Sequence, residues 1–240
     1  MNLTQPKETV LSPPEFPTVP WTLRDTWLGL AFLPLWFVLA AVAIGFSELL
    51  PVAVDTGVLI NLGEALLLIP VWWFAARKYG AGREMLGLRP YHRSILTLGF
   101  ALLALFYLFN FAYSLALASF NLEREVDIVA LLSELSSPWL LFLGGVVVAP
   151  LVEEVFFRGF VFAGLRERYG WLPAALISST LFALLHFQLW NLLPIFLLGF
   201  LFAYLYQRGG SIWPGILLHA AVNGVSLGIA YLIIEFGLDF

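Results

Sequence analysis

Apolar and polar residues fall into long blocks along this chain, not into a short-period alternation. Apolar runs lie at about 27–46, 58–76, 94–119, 138–163, 171–188, 192–207 and 213–234, and the segments between them hold most of the charge. Runs of this length cross roughly 30 Å of hydrocarbon as helices, so the pattern predicts an all-α polytopic transmembrane bundle of about seven helices. The run at 138–163 is long enough to tilt or protrude, and the one at 192–207 is short. A tight helical hairpin is expected through "FQLWNLLP" (187–194).

The connecting segments differ in sign. With the N-terminus in the cytoplasm, eleven of the twelve Lys and Arg residues fall on the inner side, Arg158 included, and only Arg124 falls outside. The outer segments hold Glu48, Asp55, Glu123, Glu125, Asp127, Glu134, Glu235 and Asp239. Basic residues accumulate on the cytoplasmic side of membrane proteins. The expectation is a multi-pass protein of a prokaryotic cytoplasmic or a thylakoid membrane, with its N-terminus cytoplasmic and its C-terminus on the far side. If 171–207 were one re-entrant element, the last helix would keep its direction.

The first residues, "MNLTQPKETVLSPPEFPTVP", carry five prolines and lack the layout of a cleavable signal peptide. They predict a Pro-rich, solvated cytoplasmic tail over 1–26, ahead of a single membrane domain over 27–240 whose first apolar run acts as an uncleaved anchor. The composition agrees, with 61% hydrophobic and 12% charged residues. The chain has no cysteine, which excludes disulfides, thiol nucleophiles and thiolate metal ligands. Its basic residues sit in short loops rather than on one face, which argues against nucleic acid as a partner.

Six ionisable residues interrupt the apolar runs: Glu64, Glu153, Glu154, Arg158, His186 and His219. Each costs about 2.5–3.5 kcal/mol at a bilayer centre, so such residues face protein or water. Glu154 and Arg158 are four apart and can pair on one helix face, which is most simply a salt bridge. Glu153 is turned away by one residue and has no partner at that spacing. His219 and Asn223 share a face, as do Phe182 and His186. On straight helices Glu153 and Asn223 lie roughly 15 Å from the inner end, His219 about 9 Å and His186 about 18–22 Å, so tilt is needed to bring them level. Asn61 and Glu64 fit no motif and read as bundle packing or a wet pocket. Trp72, Trp73 and Trp213 read as interfacial belt residues.

A free glutamate and a histidine can hold and deprotonate water, while a second histidine and an amide donate hydrogen bonds to a developing oxyanion. That set suits amide hydrolysis without a covalent intermediate. Ser178, Ser179 and Thr180 read as packing hydroxyls. The same residue types suit zinc, held by Glu153, His186 and His219 from three helices, although the HExxH spacing is absent.

These residues resemble the CAAX-processing and bacteriocin-processing (CPBP, Abi) family of intramembrane proteases. Its motifs EExxxR, FxxxH and HxxxN match Glu153, Glu154 and Arg158, then Phe182 and His186, then His219 and Asn223. The similarity covers about 138–228, and "LGLRP" (86–90) also resembles family members. The resemblance implies a membrane endopeptidase with a cavity opening to the cytosol. Its substrates would be membrane-associated or lipid-modified proteins or peptides, met within the lipid bilayer. Glu153 would activate water with help from His186, His219 and Asn223 would form the oxyanion site, and Glu154 and Arg158 would support them. The family includes both glutamate-type and metal-dependent readings, and membership does not imply a prenylated substrate. Two other readings stand beside it. One is a non-catalytic scaffold or assembly factor with a membrane-complex partner. The other is a transporter using Glu64 and Glu153 as proton sites.

Overall fold

The computed structural model describes residues 16, 18–47, 49, 54–122, 129, 132 and 137–237. Among them the chain forms helices and no strand: α1 (Leu23–Ser47), α2 (Thr56–Arg77), α3 (Arg93–Ser119), α4 (Pro138–Tyr169), α5 (Trp171–Leu184), α6 (Leu192–Gly209) and α7 (Trp213–Phe236). Six of them, with α6 counted from its lead-in turn at Leu189, are long and apolar enough to cross a membrane. The chain is an integral membrane protein. The seven helices follow the seven apolar runs. The exception in kind is α5, whose 14 residues span about 21 Å as a helix, less than a bilayer core.

Local chemistry sets the ends. Asp55 accepts from the Gly57 N–H at 2.8 Å to cap α2, and the His92 ring accepts from the Ser94 N–H to cap α3. Pro138 and Pro214 occupy first turns, where no N–H is needed. Gly170 (φ +77°) separates α4 from α5, and Gly210 (φ +67°) closes α6. Side chains strain at such angles.

The central element is α4, which packs against α1, α2, α5, α6 and α7. All nine residues from Glu154 to Phe162 are buried. The helix widens to π-type turns over Gly144–Val148 and Glu154–Phe162, a distortion often found at functional sites. The loop after α2 lies directly on it, since a Cβ at Gly159 would stand 2.6 Å from the Leu86 carbonyl oxygen. That loop carries the "LGLRP" stretch and is tied to the α6–α7 junction. Ile212 N–H donates to Gly87 O (2.9 Å), Arg89 Nε to Gly210 O (2.5 Å) and Ser211 Oγ to Arg89 O (2.6 Å).

The solvated tail expected over 1–26 does not extend to its last residues. α1 starts at Leu23, and Trp21 is 3% exposed, its ring 5.5 Å from that of Phe160. The Phe16 ring meets Tyr206 at 5.8 Å and lies under the Arg166 guanidinium at 3.9 Å. Aromatic rings at the end of a proline-rich segment bury against aromatic partners instead of standing in water. Buried Asp25 joins α1 to the end of α2, taking Lys78 Nζ at 2.6 Å and Tyr79 Oη at 2.7 Å. Residues 1–15, and the loop charges Glu48, Glu123, Arg124, Glu125, Asp127, Glu134 and Asp239, lie outside the described residues.

Gly159→Ala is expected to cost about 1–3 kcal/mol, because the obstructing atom is backbone and cannot swing aside. Gly228→Ala, with nothing within 4 Å of its Cβ position, serves as the control and stays within about 0.5 kcal/mol. Thermal unfolding of both variants in one detergent checks this.

Candidate active site

Three helices bring the motif residues together. On α4, Glu154 and Arg158 form the expected pair, Arg158 Nη1 to Glu154 Oε1 at 2.8 Å, with both side chains essentially without exposure. The guanidinium also donates Nη2 to the Gly199 carbonyl of α6 at 2.9 Å and lies 4.5 Å from the Phe182 ring centroid of α5. One cation thus ties α4, α5 and α6 at the level of the site.

His219 of α7 sits between the two glutamates. Its Nε2 is 3.7 Å from Glu153 Oε2 and its Nδ1 is 3.5 Å from Glu154 Oε1. Both are approaches at the edge of, or beyond, hydrogen-bond length. The ring is stacked on Phe202 (5.4 Å, 24°) and meets Phe182 edge-on (5.9 Å, 82°). His186 follows the end of α5, its ring 4.9 Å from Phe182 and its Nδ1 2.8 Å from the Phe182 carbonyl. A carbonyl only accepts, so Nδ1 carries a proton and the neutral ring presents the lone pair on Nε2. Asn223 donates Nδ2 to the Gly145 carbonyl at 2.8 Å, in the first π-type turn of α4.

His186, His219 and Asn223 line one cavity of about 340 Å³, together with Gln188, Asn191 and Ser226. Glu153 does not line it and joins the group at His219. The resemblance pairs Glu153 with His186 for activating water, whereas its contact in the structure is with His219. The cavity occupies the half of the bundle nearer the α5–α6 turn, away from the turns that carry Arg166, Arg168 and Arg208. The physical reason is the shortness of α5, which leaves His186 at a helix end. His186 and His219 nonetheless come level, because both rings meet that of Phe182.

Zinc is a poor fit to this geometry. Among the described residues no three His, Asp or Glu side chains gather as a metal-ligating group. Of the hydroxyls, Ser178 Oγ donates to Phe157 O at 2.9 Å across the α4–α5 contact, as expected of a packing residue.

Several contributors carry no motif. Glu64 of α2 has its Oε1 buried without a hydrogen-bond partner. A glutamate inside an apolar run was its one sequence signal. Phe202 and the Gly145 and Gly199 carbonyls have none, because ring stacking and backbone acceptors leave no trace in residue type. Phe187, between two cavity residues, holds φ +52° with its exposed ring 5.0 Å from that of Phe37 in α1.

Fold and site together define an all-helical membrane protein with paired carboxylates and two histidines gathered in its interior. Residues 135–225 match the family described as type II CAAX prenyl endopeptidase Rce1-like. That segment contains the EExxxR, FxxxH and HxxxN residues Glu153, Glu154, Arg158, Phe182, His186, His219 and Asn223. The chain is 35% identical over 105 residues to "Putative membrane peptidase YdiL" of Bacillus subtilis (strain 168), a match covering 43% of each chain. It is 35% identical over 78 residues to "UPF0177 protein YxdF" of Lactococcus lactis subsp. lactis (strain IL1403), covering 32% of this chain and 42% of that one. Each match spans less than half of the relative's length. No solved structure matches.

Glu154→Ala is expected to destabilise the protein by about 3–5 kcal/mol, because it leaves a buried guanidinium without its counter-charge. The double change Glu154→Leu with Arg158→Met recovers much of that loss. A double-mutant cycle of unfolding free energies in detergent measures it. Additive losses would mean that the pair is not coupled.

Proposed function

We propose that this chain is an intramembrane endopeptidase that hydrolyses peptide bonds of membrane-associated or lipid-modified proteins. The observation that carries the reading is the approach of Glu153 to His219 at 3.7 Å, with His219, His186 and Asn223 on one cavity inside the segment that matches the Rce1-like family. Glu153 is the general base. It takes a proton from water, and the hydroxide attacks the peptide carbonyl. The His186 Nε2 lone pair holds that water by accepting its second hydrogen. An N–H of His219 and the second N–H of the Asn223 amide donate to the oxyanion as it forms. Glu153 then returns the proton to the departing amine. Glu154, already bound to Arg158, sets the charge beside His219 Nδ1 and keeps the ring in place.

The chain's orientation follows the charge bias, with the N-terminus in the cytoplasm of a prokaryotic cell. The cleavage site on the substrate then lies at the depth of the α5–α6 turn.

Glu153→Gln, His186→Ala and His219→Ala should each lower cleavage of a membrane-anchored reporter peptide by about 10²- to 10⁴-fold, with unchanged melting temperature in detergent. Asn223→Ala should lose about 10²- to 10³-fold, in kcat rather than KM. Wild-type turnover by Glu153→Gln would remove the mechanism. A Glu153→Gln protein that fully restores a deletion strain would point to the scaffold reading.

A further inference from the structure

A second cavity of about 740 Å³ lies on the opposite side of α4 and α7 from the site just described. Arg83, Arg89 and Tyr91 line one part of it, and Leu151, Trp213 and Leu217 the other. Leu151 and Leu217 each stand two residues before a site residue, Glu153 and His219, so they point about 200° away around their helices. Both are substantially exposed, at 37% and 44%. The groove is therefore separate from the catalytic cavity and faces the surroundings of the bundle.

Its chemistry is divided. The polar part is supplied by the loop after α2, and none of the described lining residues is acidic. The apolar part is helix surface beneath Trp213, a residue type that marks the level of lipid headgroups. The polar part is also preformed. Arg89 is fixed by its Nε bond to Gly210 O and by Ser211 Oγ on its carbonyl, and the Ile212 N–H holds the loop at Gly87. Arg89 thus stands at a set height over an apolar floor, with the exposed Arg83 beside it. The volume lies within the range of about 300–1,000 Å³ usual for small-ligand sites.

We infer that this groove binds the headgroup of an anionic phospholipid, with the phosphate against Arg83 and Arg89 and the acyl chains along Leu151 and Leu217. Arginine suits phosphate through its fork of N–H donors. A zwitterionic lipid carries its own cation and gains less from the two arginines. A bare phosphate gains nothing from the apolar floor. Because the loop also packs on α4 at Gly159, an occupied groove holds the α2–α3 loop, α4 and the α6–α7 junction together.

The test uses the full chain purified in neutral detergent. Dioleoyl phosphatidylglycerol, dioleoyl phosphatidylcholine or inorganic phosphate is added, and lipid retention is read by native mass spectrometry beside the melting temperature. Phosphatidylglycerol should be retained preferentially and raise the melting temperature, while the other two do neither. Arg83→Gln, at an exposed side chain, should weaken retention about fivefold. Leu217→Trp should weaken it by filling the floor without changing charge. Equal retention of both lipids, protection by phosphate alone, or unaltered binding in both variants would overturn the assignment. So would displacement of the lipid by a soluble reporter peptide, which would make the groove a peptide site. Neither readout depends on proteolysis, so loss of the endopeptidase reading would leave this result standing.

Discussion

The arrangement of the site depends on one buried cation. Arg158 is fully enclosed, and removing a guanidinium from water costs several kcal/mol unless its charge and its N–H groups are answered. Glu154 answers the charge, the Gly199 carbonyl takes a second N–H, and the Phe182 ring covers a face. These partners belong to three helices, so each must come to the height at which Arg158 stands. Gly199 can do so because it has no side chain; a Cβ there would be 3.1 Å from Nη2. Phe182 then fixes both histidines, with one ring edge-on to it and the other following it in sequence. The geometry of the catalytic candidates is thus inherited from the desolvation of a group that does no chemistry.

The same logic explains the irregular backbone of α4. A regular α-helix directs every carbonyl to its own fourth neighbour and leaves only the second lone pair for other helices. The π-type turn at Gly144–Val148 lies where Gly145 O accepts from Asn223 of α7, just after Leu140 O accepts from Asn61 of α2. Inside a membrane such acceptors would otherwise lack water. The amides of two neighbouring helices replace it, and in doing so they orient α7 against α4.

Helix positions are legible in the sequence because burial in lipid demands long apolar runs, and the runs show where they break. The Glu154–Arg158 pair is legible because it is local, four residues apart on one helix. Relations between helices are not. That Glu153 meets His219 and not His186, and that the cavity lies toward the α5–α6 turn, both depend on tilt and depth. Those are set by ring packing and backbone acceptors that no spacing records. The buried Trp21 is missed for a related reason. A proline-rich segment reads as solvated, but its few aromatic rings have partners on α4 and α6.

The contrast between the two adjacent glutamates follows from these constraints. Glu154 faces Arg158, so its charge is neutralised and its position fixed. Glu153, one residue earlier, has an Oε2 that is buried without a hydrogen-bond partner, and the same holds for Glu154 Oε2, Arg158 Nε, Glu64 Oε1 and His219 Nδ1. Each such atom costs about 1–3 kcal/mol. A fold that leaves such atoms on Glu153, Glu154, Arg158 and His219 has kept hydrogen-bonding capacity in reserve at one place. Shortening the 3.7 Å gap between Glu153 and His219 into a direct bond would stabilise the resting protein. On the proposed mechanism Glu153 stays available because Glu154 and the Gly199 carbonyl hold Arg158; a guanidinium short of those partners would draw the second carboxylate to itself.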